Sequence, residues 1–132
     1  MPTISQEHPY GCGVACVAYV ICISYKEALK LFENPTRSES AGYLCKEIVE
    51  ALKKFGLRYD YRYVKLRSKL PKIPNCIVFV RRSKMYPAGH YLARSDDGKW
   101  MDPWVSFPLV PYESGWRRRL PDRAIYVIHP ID

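Results

Sequence analysis

The chain has 132 residues and a formal net charge of +8, with 48% hydrophobic and 26% charged residues. That length suits one domain, residues 1–132, with one core, and the balance excludes disordered, fibrous and low-complexity classes. The longest apolar run, Val14 to Ile23, is well short of the roughly 20 residues a membrane helix needs and lacks the basic start of a signal peptide; with five cysteines, an odd number set on predicted helices and strands, the expectation is a cytoplasmic protein with reduced thiols.

Cys12 to Ile23 is expected to be a helix, apolar nearly all round and therefore central and buried. "YKEALKLF", Tyr25 to Phe32, predicts a short second helix ended by "ENPT". Ser40 to Phe55 carries the clearest helical pattern, with Leu44, Ile48, Ala51, Leu52 and Phe55 on one stripe. Gly56 stands where a helix-ending glycine is expected. Beyond it the period becomes two. "LRYDYRYVKL" alternates tyrosines with charges, as a half-exposed strand does. "NCIVFVRR" predicts a central strand, "GHYLARS" and "KWMDPW" a hairpin around "DDG", and "RAIYVIHP" a last strand. "PLVPYESGWRRRLPD" is expected to be irregular, a flap or solvent loop. Helices followed by an antiparallel sheet make an α+β domain.

Basic residues gather at Lys65–Lys72, at Arg81, Arg82 and Lys84, and at Arg117–Arg119. A solvated basic face is the simplest expectation; an acidic partner or nucleic acid is the alternative, although no nucleic-acid motif accompanies the charge.

Cys12 is predicted at the first turn of its helix, where unpaired N–H groups and the helix dipole favour an anion. Gly13 beside it leaves room for a substrate backbone. Gln6, six residues upstream, is placed to aim its amide N–H at the same point as the Cys12 backbone N–H, and two converging donors form an oxyanion hole. Cys16, Cys22, Cys45 and Cys76 are expected to be ordinary thiols. "CGVAC" has no second ligand pair after it, so neither zinc nor any cofactor is expected.

His90 opens a predicted strand. A three-residue loop, Asp96-Asp97-Gly98, with Gly98 in the left-handed position pairs Ser95 with Lys99 and Leu92 with Asp102. His90 and Asp102 then lie diagonally on one face, within side-chain reach. A two-residue turn would put them on opposite faces. Asp102 would orient the imidazole and stabilise its charged form. Trp104 falls on the same face and is placed to shield the pair from water.

With Gln6, Cys12, His90 and Asp102 in this order, the sequence resembles a papain-like cysteine peptidase, and in particular the double-glycine, bacteriocin-processing peptidase family. Its domains begin with Gln, five residues, then Cys-Gly, as "QEHPYGCG" does here. "SAGYLCKEIVEALKKFGL" and "KLPKIPNCIVFV" resemble its middle section, "GHYL" and "MDPW" its His and Asp segments. The likeness runs from about Gln6 to Trp104, with Gly11 standing where many members carry a polar residue. It implies a papain-like fold with the nucleophile at the start of a central helix packed on an antiparallel sheet. It implies Cys12 as nucleophile, His90 as general base, Asp102 as orienter and Gln6 as oxyanion donor, acting on a peptide or protein substrate. Two alternatives stay open: a binding module for a peptide or acidic partner, and a deamidase or acyltransferase on the same triad.

Overall fold

The structure is a computed structural model that describes residues 2–65, 70 and 73–131. Three helices precede a six-stranded sheet. The helices are α1 (Cys12–Ile21), α2 (Tyr25–Leu29) and α3 (Cys45–Phe55), with a 3-10 turn at Pro35–Glu39 between α2 and α3. The strands are β1 (Tyr59–Tyr63), β2 (Ile77–Val80), β3 (His90–Arg94), β4 (Trp100–Asp102), β5 (Gly115–Arg117) and β6 (Ala124–Pro130). They pair antiparallel in the order β1-β6-β2-β3-β4-β5. The α+β class expected from the sequence is therefore present. No helix among the described residues is long and apolar enough to cross a membrane.

Each face of the sheet is covered by a different layer, as strand alternation requires. Tyr91, Ala93, Met101 and Ile128 point to the helices and join the buried run of α1 in the main core. Val78, Leu92, Trp100 and Val127 point the other way, into a smaller core closed by Tyr86, Phe107 and Leu120 from the loops. Gly13 to Ile21 are buried throughout, so α1 is the central helix. α3 lays only Cys45, Ile48, Ala51 and Leu52 inward. Leu44 and Phe55, the ends of the expected stripe, are exposed.

All three helices are shorter than expected. α1 stops at Ile21 because Cys22 takes a left-handed conformation, φ 62°, and caps the helix through its N–H. α2 starts at a capping box, with the Ser24 hydroxyl accepting from the Glu27 N–H and the Glu27 carboxylate accepting from the Ser24 N–H, and ends at Leu29 rather than Phe32. α3 begins five residues after Ser40, since Pro35–Glu39 forms its own 3-10 turn and Gly42 sits at positive φ. Gly56 does end α3, at φ 105°. β1 lies at a sheet edge and exposes four of its five residues; the end of its predicted span, Leu66, falls outside the described residues. β2 is central, between β6 and β3. The stretch 108–122, expected to be irregular, contains β5, which pairs with β4.

Candidate active site

The β3–β4 hairpin sets the register of the site. Ser95 N–H donates to the Lys99 carbonyl across Asp96-Asp97-Gly98, and Gly98 sits at φ 83°. Ala93 pairs with Met101 and Arg94 with Trp100. Leu92 therefore stands opposite Asp102, the register expected from a three-residue loop. His90 and Asp102 share the face and meet: the ring Nε2 and the carboxylate Oδ1 are 2.7 Å apart. The histidine is 3% exposed and the aspartate wholly buried.

Gly89 places His90. It has φ 78°, and a Cβ there would stand 2.1 Å from the Phe79 ring. A methyl group meets both the left-handed penalty and an aromatic wall, so Gly89→Ala is expected to cost about 2 kcal/mol or more. Urea denaturation checks this, and a cost under about 0.5 kcal/mol would mean that the turn into β3 is looser than the structure has it.

Cys12 is the first residue of α1, half-buried. Its thiol lies close enough to the His90 ring to act on its ionisation, and since Nε2 is engaged by Asp102, Nδ1 is the nitrogen left to serve it. Burial alone would drive the proton off His90, but Asp102 and Cys12 outweigh it and push the pKa up to about 9. These partners favour the cationic form of the ring. Burial also works against the Asp102 carboxylate, yet three donors hold it near 2: His90, the Arg117 Nε–H at 2.6 Å and the Trp104 backbone N–H at 2.9 Å. Among the other cysteines, burial pushes the thiols of Cys16, Cys45 and Cys76 up, the last to about 11. Cys22 is exposed.

Two predicted site residues, Gln6 and Gly13, behave differently from their expected roles, and a third, Trp104, does more than expected. Gln6 is buried, but its amide Nε2 donates to the carbonyls of His8 and Pro9, at 2.8 and 3.2 Å. Its Oε1 is buried with no partner. The amide hydrogens expected to wait for an oxyanion are thus engaged by the turn that leads into α1. Gly13 does not border the cleft. A Cβ there would meet Ile48 at 3.0 Å and Tyr91 at 3.4 Å, so the missing side chain lets α1 approach α3 and the sheet rather than a substrate. Trp104 is buried beside the pair as expected, its indole N–H donating to the Leu109 carbonyl, and its main chain adds a hydrogen bond to Asp102 that the sequence did not indicate.

Two further residues were not singled out from the sequence. Tyr86 stacks on His90 with ring centroids 4.3 Å apart and planes at 1°. Arg117, one of three consecutive arginines, forms an ion pair with Asp102 instead of joining a solvated basic face. Arg81 likewise pairs with Asp122. Most of Lys65–Lys72 lies outside the described residues.

A cleft of about 940 Å³ opens beside Cys12 and His90. Its walls are aromatic, with Tyr43, Tyr61, Phe79 and Tyr126 prominent, and no carboxylate lines it among the described residues. The cations at its border are Arg37, paired with Glu47, and the exposed Lys46 and Arg82. No group of three metal-ligating side chains comes together among the described residues. Compared with known proteins, the chain matches no family model, no curated protein and no solved structure.

Proposed function

We infer that the chain is a papain-like cysteine hydrolase that cleaves a peptide or isopeptide bond through an acyl-enzyme. The observation that carries this reading is the arrangement at the head of α1: a half-buried thiol sharing a cleft with an imidazole whose Nε2 is held by a buried carboxylate. In this mechanism the Cys12 sulfur attacks the carbonyl, and its proton resides on His90. The imidazolium then gives that proton to the leaving amine, and the neutral ring takes a proton from water as the thioester is hydrolysed. The Cys12 N–H is one oxyanion donor. Gln6 becomes the second only when one amide hydrogen is released from His8 or Pro9. The cleft favours an extended peptide with apolar side chains and neutral or acidic ones, since aromatic rings and cations line it without a carboxylate. The likeness of the motifs to double-glycine peptidases is the sole ground for a preference at the cleaved bond.

A second reading, a peptide-binding module on the same fold, is favoured by one observation: the Gln6 amide is committed to the turn. Alkylation by iodoacetamide, followed residue by residue by mass spectrometry, separates the two. Exposed Cys22 is the internal reference. Near pH 6, Cys12 is expected to react at least about tenfold faster than Cys22, because the His90 ring beside it activates the sulfur as a nucleophile. His90→Ala is expected to remove the difference. Equal rates for Cys12 and Cys22 in the wild type would sink the hydrolase reading and leave the module.

A further inference from the structure

We propose that Arg117 is a positioning residue of the site: one guanidinium grips both the carboxylate that orients His90 and the phenol that covers its ring. This rests on the hydrolase reading for its purpose, but not for its geometry. The Arg117 Nε–H donates to Asp102 Oδ2 at 2.6 Å while Oδ1 faces His90 at 2.7 Å. The same side chain donates from Nη2 to the Tyr86 hydroxyl at 3.3 Å, and the Tyr86 ring lies flat on the imidazole. The imidazole is thereby fixed in its plane by Asp102 and across its plane by Tyr86, with both partners tied to one planar fork.

The register explains how β5 delivers this side chain. Asp102 stands opposite Gly115 and Trp100 opposite Arg117, so Arg117 and Asp102 are diagonal neighbours on one face. Tyr86 is held separately. Its N–H donates to the Ser83 hydroxyl and its carbonyl accepts from the Gly89 N–H, which folds the turn before β3 back over the histidine. A lysine at 117 would keep the charge but lose the fork, because one ammonium is a compact point charge whereas a guanidinium presents several donors in a plane.

Arg117 also sets a sign. Among the described residues, the titratable and charged groups around His90 are Cys12 from α1, with Cys16 buried one turn beyond it, Asp102 from β4, Tyr86 from the turn before β3 and Arg117 from β5. Arg117 is the one permanent cation among them. It draws on the same carboxylate as the imidazolium and repels the imidazolium itself, so it makes the His90 proton easier to release when water must be activated.

The test is the ring titration of His90 by nitrogen NMR, together with the alkylation rate of Cys12, in the wild type, Arg117→Gln, Arg117→Lys and Tyr86→Phe. Arg117→Gln is expected to move the His90 midpoint upward by about half to one pH unit and to slow Cys12 alkylation about tenfold, since the ring is no longer held. Arg117→Lys should return the midpoint to the wild-type value without restoring the rate. Tyr86→Phe keeps the stacked ring and removes only the hydroxyl, and is expected to slow alkylation in the same direction by a smaller factor; it also keeps the test open if Arg117→Gln fails to fold. The proposal is overturned if Arg117→Gln lowers the melting temperature while leaving midpoint and rate unchanged, for the arginine is then only a brace. If Cys12 in the wild type reacts no faster than Cys22, it is the hydrolase reading that fails, and an upward His90 midpoint in Arg117→Gln would still support the grip on Asp102.

Discussion

Asp102→Ala is expected to destabilise the fold by about 3 kcal/mol, which for a domain of this size lowers the melting temperature by roughly 10 °C. The carboxylate is wholly buried and accepts from His90, Arg117 and the Trp104 N–H. Removing it leaves a cation and two donors facing a cavity of their own making, and partial exposure of Arg117 softens only part of that cost. Asp102→Asn keeps the volume and one acceptor, but turns an N–H₂ toward either His90 or Arg117, so its cost should fall in between. The pH dependence follows from the two perturbed groups. Asp102 is depressed to about 2, so its contribution is present above its unfolded value near ~3.9 and is lost as pH falls through about 2. His90 is raised to about 9, so its contribution is full below ~6.5 and is lost as pH rises through about 9. The wild type should therefore be most stable between about pH 4 and 6.5 with respect to this pair and weaken toward pH 9. In Asp102→Ala the weakening on the alkaline side should largely vanish, because His90 has lost the anion that held its proton. Urea midpoints from pH 5 to 9.5 report both effects. A variant that melts within about 1 °C of the wild type would show that the buried pair contributes nothing.

The parts of this site that were legible in the sequence are those fixed by local rules. "DDG" suits a three-residue hairpin loop with glycine in the left-handed position, and that loop, once adopted in place of a two-residue turn, dictates that residues 90 and 102 share a face. "CGVAC" before an apolar run places Cys12 at a helix start, because the glycine-rich turn ends where the apolar run begins. What stayed hidden depends on contacts between distant segments. Arg117 looked like part of a charge run, and no local pattern separates it from Arg118 and Arg119; only the pairing of the three-residue β5 with β4 brings it to Asp102. Tyr86 lies in "SKMYPAG", a polar turn whose fold-back over His90 is a tertiary event. Gln6 was found by spacing, but spacing carries no information on which groups its amide meets, and the carbonyls of His8 and Pro9 arrive from the turn itself. The helices were read too long for a similar reason. Apolar residues continue past Ile21 and before Cys45, whereas left-handed Cys22 and positive-φ Gly42 end the helical backbone.

Cys12→Ala is expected to abolish turnover altogether, and water labelled with oxygen-18 makes the loss interpretable. Offered a library of extended peptides rich in apolar and acidic residues, the wild-type protein should release products whose new carboxylate carries one labelled oxygen, because water resolves the acyl-enzyme. The Cys12→Ala protein has no sulfur to form the thioester, and the products should disappear rather than diminish. Gln6→Ala should lie in between, with turnover lower by about 10²–10³, the usual effect of removing one oxyanion donor. A turnover that ignores Gln6 would mean that its amide stays bound to His8 and Pro9 throughout and that another donor serves the oxyanion. The product also identifies the acceptor. A free amine that captures the acyl group gives a new amide without label, which makes the chain an acyltransferase, and a glutamine converted to labelled glutamate makes it a deamidase. All three chemistries need the same sulfur, so Cys12→Ala must silence each of them. Products that persist at the wild-type rate in Cys12→Ala would overturn the triad as the source of catalysis. A wild type that forms neither product nor a mass adduct on Cys12 across the library would leave the aromatic cleft as a place where peptides bind and are not cut.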